Sequence, residues 1–368
     1  MFPRRVVDAV LGEPLAPTLR AARCVRSRGD DPCRACELAC PHQALWLDPR
    51  GGWHLDEGRC DGCGACASVC PSQAIDAPGI DAGALSRAWR TGEGVTLGCA
   101  RNDAPATVRL PCLAGLHPER FATLLLRHPG VPVVVDLSAC EGCPAGALRP
   151  TIEAHARQAR DVVRLAGAAC DVRVARAAEP RREGVLDRRA FFRVARERAT
   201  AFVAANLAER EATRPSATLP HRAAFLAAVR DQRTQTHTEP PSLPVAGAWF
   251  VDWDVTDACD GCPGTPRARC VQACPNQAWR VAQARMDATL THDAAACSGC
   301  GACQRACPHD ALSAQPAPLT ATAGRLVKRR IARPRCRVCA QARATGDDGL
   351  CRHCRSRRAL GERVRLGA

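Results

Sequence analysis

The sequence predicts an α+β chain built from small modules that are held together by bound metal. Three observations carry this. The 368 residues include 25 cysteines, far more than ordinary packing uses. They include 28 Gly and 28 Pro but only six Trp, seven Phe and no Tyr, a poor supply for one large close-packed core. The cysteines also fall into tight clusters separated by a stretch in which strand-like and helix-like runs alternate. No apolar run reaches the roughly 18–20 residues of a membrane-spanning helix. Arg4-Arg5 is followed by Asp8, Gly12, Glu13 and Pro14 rather than by an apolar run, so no secretory or twin-arginine signal is expected. The expected location is the cytoplasm, where a cysteine-dense chain is a metal or redox protein rather than a disulfide scaffold.

The first cluster reads Cys60-Asp-Gly-Cys63-Gly-Ala-Cys66-Ala-Ser-Val-Cys70-Pro, and a second reads Cys297-Ser-Gly-Cys300-Gly-Ala-Cys303-Gln-Arg-Ala-Cys307-Pro. Both are C-x2-C-x2-C-x3-C-P. Three closely spaced thiolates in a glycine-containing loop can wrap three irons of one cubane, while the fourth reaches a neighbouring cluster. That demands a partner motif, and each run has one upstream: Cys24, Cys33, Cys36 and Cys40-Pro41, then Cys259, Cys262, Cys270 and Cys274-Pro275. Both partners are stretched, with eight residues between Cys24 and Cys33 and seven between Cys262 and Cys270. Each C-P is followed by a related tail: His42-Gln43-Ala44-Leu45, Ser72-Gln73-Ala74-Ile75, Asn276-Gln277-Ala278-Trp279 and His309-Asp310-Ala311-Leu312. Four copies of one half-motif form an internal repeat.

Residues 24–78 and 256–315 each resemble the bacterial two-cluster [4Fe–4S] ferredoxin family. The resemblance covers about a third of the chain and implies a small α+β module with two clusters in each copy. It implies that Cys40, Cys60, Cys63 and Cys66 hold one cluster, and that Cys24, Cys33, Cys36 and Cys70 hold its neighbour. In the second copy it implies Cys274, Cys297, Cys300 and Cys303 for one cluster, and Cys259, Cys262, Cys270 and Cys307 for the other. Zinc or empty thiols are the competing reading of the same residues.

Between the modules, Val95–Leu97 leads into Cys99, Ala106–Leu110 into Cys112, and Val131–Leu137 into Cys140-Glu-Gly-Cys143. Pro118–Arg127, with Phe121, Leu124 and Leu125 at i, i+3 and i+4, reads as a helix, as does 146–168. Asp171–Ala175 reads as a last strand. The alternation predicts a small α/β unit with a parallel sheet. Ligands sit outside the carboxyl ends of strands in such sheets, so Cys99, Cys112, Cys140 and Cys143 could converge there. A fifth cluster, zinc and structural thiols all stay open as readings.

Asp187–Glu209 and His221–Gln232 read as packing helices, and Arg214–Leu219 and Thr234–Pro244 as linkers. From Arg325 to Arg365 there are 14 basic against 3 acidic residues, a surplus of 11 within a formal net charge of +15. Cys336-x2-Cys339 and Cys351-x2-Cys354 lie in this stretch, a spacing that suits one structural zinc, with a further cluster as the rival. Only Lys328 among the 52 basic residues is a lysine, and the tail has no aromatic residue on which a base could stack. Cys170 is left over as a buried thiol.

The domain reading is a two-cluster module over 1–80, a cysteine-containing α/β domain over 81–180, a helical connector over 181–245, a second module over 246–320, and a basic zinc-binding tail over 321–368. No G-x-G-x-x-G and no G-x4-G-K-[ST] occurs, so neither nicotinamide nor ATP is indicated and no substrate site of its own is expected. His42 and His309, directly after C-P, are candidates for tuning cluster potentials. The functional expectation is a polyferredoxin-type electron-transfer protein that relays electrons to or from a larger oxidoreductase or other redox protein. The alternative is an accessory protein that matures such an enzyme, including one carrying molybdenum or tungsten. A redox-sensing nucleic-acid binder is the third and weakest reading.

Overall fold

The computed structural model of the protein describes residues 16–28, 32–48, 52–77, 85, 89, 94–102, 104–176, 219–236, 249–262, 267–283, 287–317, 324–332, 336–339 and 349–365. The expected helix at 187–209 lies outside these residues, as do 214–218 and 237–244 of the two expected linkers.

The first module is α+β, as its sequence predicts. Strand β1 (Thr18–Leu19) leads to the one-turn helix α1 (Ala35–Leu38), and β2 (Leu45–Leu47) forms a hairpin with β3 (Trp53–Leu55). The one-turn helix α2 (Ala65–Ser68) follows, and β4 (Ile75–Asp76) returns to pair antiparallel with β1. Helices this short do not persist by propensity. Gly64 supplies the left-handed residue that starts α2, at φ +72°.

The middle domain is a four-stranded, all-parallel sheet. Its strands are β5 (Val95–Cys99), β6 (Val108–Leu110), β7 (Val133–Asp136) and β8 (Val172–Ala175), in spatial order β6-β5-β7-β8. Val95, Leu97, Val133 and Val135 are all buried. Helix α3 (Pro118–Arg127) coincides with the predicted span: Pro118 occupies its first turn, and His117 caps it by accepting the Glu119 N–H at 3.2 Å. Phe121, Leu124 and Leu125 are buried as their spacing demands. Helix α4 (Arg149–Leu165) is preceded by a 3-10 turn over Gly146–Leu148, which divides the single helix expected at 146–168.

Helix α5 (Pro220–Thr236) packs on α3. It outlasts the expected helix, because Thr234 and Thr236 return their hydroxyls to the carbonyls of Arg230 and Gln232 rather than opening a linker. Phe225 of α5 joins Trp249 and Phe250 in the same core as the sheet.

In the second module, β9 (Val251–Val255), α6 (Arg269–Ala273), β10 (Trp279–Gln283), β11 (Asp287–Asp293), α7 (Ala302–Arg305) and β12 (Leu312–Pro316) repeat the first module on a larger scale. Strand β9 pairs with β12, and β10 with β11. A further strand, β13 (Arg325–Ala332), extends the β10-β11 sheet across a bulge at Leu290/Thr291. Part of the basic stretch is therefore built into this module. Arg325 pairs with Asp293 at 3.3 Å, Lys328 with Asp252 at 2.5 Å, and Arg329 with Asp257 at 2.6 Å. The chain then turns through Cys336–Cys339 and ends in α8 (Arg352–Arg365).

The two modules meet directly. The 3-10 turn Val25–Arg28 packs against α6.

Candidate metal centres

The cysteine positions follow from one local geometry repeated four times. After each C-P, the next residue but one adopts a left-handed backbone: Gln43 at φ +50°, Gln73 at +49°, Gln277 at +53° and Asp310 at +46°. This turn aims the following N–H back at the cysteine. Ala44 donates to Cys40 Sγ at 3.2 Å, Ala74 to Cys70 at 3.3 Å, Ala278 to Cys274 at 3.3 Å and Ala311 to Cys307 at 3.4 Å. The repeat legible in the sequence is thus a device for placing a donor on a thiolate.

Three module sets each line one cavity. Cys259, Cys262, Cys270 and Cys307 line the first. Cys40, Cys60, Cys63 and Cys66 line the second, and Cys274, Cys297, Cys300 and Cys303 the third. Cys24, Cys36 and Cys70 share the first module's core. There the Cys36 thiol is pushed up to about 12 by burial and then by Cys70, Cys33 and Cys24. Burial likewise raises Cys66 and Cys270 to about 12 and Cys297 to about 11, with nearby thiols adding to it, Cys36 of the neighbouring set foremost at Cys66. Thiols crowded into low-dielectric cavities ionise at a high cost unless cations neutralise them, and ferric and ferrous iron do so. The donor chemistry, the cavities and the N–H···S bonds fit iron–sulfur clusters.

The two histidines after C-P have matching partners. His42 Nε2 lies 2.7 Å from Asp61 Oδ2, and His309 Nε2 lies 3.3 Å from Asp260 Oδ1. Both carboxylates come from the Cys-Asp-Gly-Cys loops. Sequence reasoning passed over these two aspartates, although their shared place in both loops was a visible signal. Burial alone would raise the Asp61 carboxyl, but hydrogen bonds from His42 and Arg101 outweigh it and hold it below the usual range.

In the middle domain, Cys99, Cys112, Cys140 and Cys143 come together at the carboxyl end of the parallel sheet. Cys170 lies at the opposite end, just before β8, and is only partly buried rather than a core thiol.

In the tail, Cys336, Cys339, Cys351 and Cys354 bring their sulfurs within 4.8 Å of one another. Cys339 and Cys351 Sγ are 3.8 Å apart, about the edge of a tetrahedron with metal–sulfur bonds near 2.3 Å. Hydrogen bonds from Cys351 N–H, at 3.2 Å, and from Cys339 hold the Cys336 thiol below its ordinary value. His353 is exposed.

A second group that sequence reasoning missed joins the units. Arg222 of α5 donates to Glu119 of α3 at 2.6 Å, to the carbonyl of Cys297 at 2.9 Å and to the carbonyl of Trp249. Gln73 donates to the other oxygen of Glu119 at 2.8 Å and accepts the His221 N–H at 2.9 Å.

Residues 31–74 and 258–311 match the family described as the 4Fe-4S dicluster domain. Cys24 falls outside the matched residues. No curated protein matches the chain. The chain thus carries two ferredoxin-like modules of the [4Fe–4S] dicluster type.

Proposed function

We propose that this protein is an electron relay of the polyferredoxin type, which passes single electrons to or from a partner oxidoreductase. The [4Fe–4S] clusters would supply one-electron chemistry. The observation that supports the reading best is the way the modules abut. Cys24 directly precedes the turn Val25–Arg28, Cys270 lies within α6, and these two elements pack on each other. The turn that follows Cys24 and the helix that carries Cys270 thus lie together at the junction of the two modules. Arg222, bound to the carbonyl of Cys297, and Gln73, three residues after Cys70, fix the relative placement of the modules through Glu119.

In this reading, each module's eight cysteines hold two clusters in the sets described above. The alanine N–H donors offset charge on one thiolate of each set. The tail cysteines hold zinc, whose tetrahedral spacing they match, and close a knuckle too small to fold on a core alone. Among the described residues, no helix is long and apolar enough to cross a membrane.

The test uses the full chain, reduced anaerobically with dithionite, desalted, and mixed with oxidised cytochrome c. About one electron returned per cluster is expected. Iron-replete protein that returns none contradicts the relay. The maturation alternative draws its support from the tail knuckle, an appendage that electron passage does not require. It predicts that a host lacking the protein accumulates inactive partner enzyme, and that the finished enzyme turns over without it.

A further inference from the structure

We propose that Cys99, Cys112, Cys140 and Cys143 hold an iron–sulfur cluster, a redox centre outside both dicluster modules, and that Arg101 joins it to the first module. The site stands whether or not the relay reading does.

Cys140-Glu141-Gly142-Cys143 carries its glycine at φ +74°. The three Cys-x-Gly-Cys loops of the modules do the same, with Gly62 at +69°, Gly261 at +74° and Gly299 at +68°. Neither Cys-x2-Cys of the tail contains a glycine. A left-handed glycine between two cysteines turns backbone N–H groups toward the sulfurs.

The four thiols line one shared cavity, as Cys40, Cys60, Cys63 and Cys66 do in the first matched domain. Among the described residues, only the tail draws a set of cysteine sulfurs within 4.8 Å. One zinc needs that tight tetrahedron, whereas a cubane spreads its thiolates around a larger core. The turn after Cys143 is tight, since a Cβ on Gly146 would lie 2.5 Å from the carbonyl oxygen of Cys140.

Arg101 donates to Cys143 Sγ at 3.6 Å and to Asp61 Oδ2 at 2.5 Å. One guanidinium therefore spans a thiol of this site and the Cys60–Cys63 loop of the first module. It supplies the positive charge that a cluster bearing four thiolates lacks.

The experiment measures iron, sulfide and zinc per chain on the anaerobically purified full chain and on a Cys112→Ser/Cys140→Ser double variant. About twenty irons are expected in the parent and about four fewer in the variant, with the remaining cluster signals intact. About sixteen irons in the parent, or a second zinc, overturns the site, and the parent count decides this even where the variant fails to fold. Arg101→Gln should keep its iron but shift one centre's midpoint potential downward, because the reduced state loses a stabilising cation. Unchanged potentials at every centre overturn the Arg101 link. Iron at the site in a protein that returns no electrons would fail the relay alone.

Discussion

The backbone N–H of Ala44 donates to Cys40 Sγ at 3.2 Å, and Gln43, at φ +50°, is the residue that aims it. A non-glycine residue in this region carries strain of about 1 kcal/mol or more. Gln43→Gly should therefore be tolerated or slightly stabilising. Gln43→Val, β-branched and averse to positive φ, should lower stability by about 1–2 kcal/mol. Melting temperatures of the two cluster-loaded variants check this, and equal melting temperatures would contradict it.

Arg222 and Glu119 form an ion pair at 2.6 Å with side chains only 3% and 5% exposed. Arg222 also lies 4.3 Å above the Phe250 ring. Removing one partner of a buried pair strands the other, so Arg222→Met should cost about 3–5 kcal/mol. Arg222→Lys should recover only part of this, because an ammonium cannot reproduce a planar fork shared among a carboxylate and two carbonyls. Thermal unfolding of the two variants measures the difference.

Chelation separates the tail from the clusters. Cys351→Ser should remove about one zinc per chain and leave iron unchanged, since the tail thiols form a set of their own. Circular dichroism should report lost helix, because α8 begins at Arg352, directly after that ligand. Iron lost in parallel with the zinc would show that the tail carries a cluster instead.

The His117 and His221 rings lie 4.8 Å apart between centroids, tilted by 40°. Burial is the main reason both titrate near 3, with His155, Arg222 and Arg120 further disfavouring charge on His117. At His221, His117, Arg120 and Arg23 act in the same sense, and Glu119 opposes them. An unfolded histidine takes its proton below about 6.5, while these stay neutral in the fold. The fold's advantage is therefore complete above pH 6.5 and declines as pH falls from there toward 3. Melting temperature should drop between pH 7 and 5, and His117→Gln should flatten that dependence.

What was legible in the sequence was local. The C-x2-C-x2-C-x3-C-P runs, the strands ending at Cys99, Cys112 and Cys140, and the bounds of Pro118–Arg127 follow from spacing and periodicity within a few residues. The Gln73–Glu119–Arg222 network was not legible, because its partners lie 46 and 103 positions apart and nothing in their neighbourhoods marks them. Arg101 was hidden among many arginines, and only the fold brings it to Asp61. Strand Arg325–Ala332 was hidden for a related reason. Its charges read as a solvated tail until Asp252, Asp257 and Asp293 are seen to neutralise Lys328, Arg329 and Arg325.

The most direct test of the central claim is a count of iron and acid-labile sulfide on anaerobically purified protein, with EPR of the dithionite-reduced form. The account predicts at least about sixteen irons with matching sulfide. It also predicts reduced-cluster signals broadened by spin–spin interaction between neighbouring centres. Iron near zero with several zincs, or reduced signals with no interaction between centres, would contradict it.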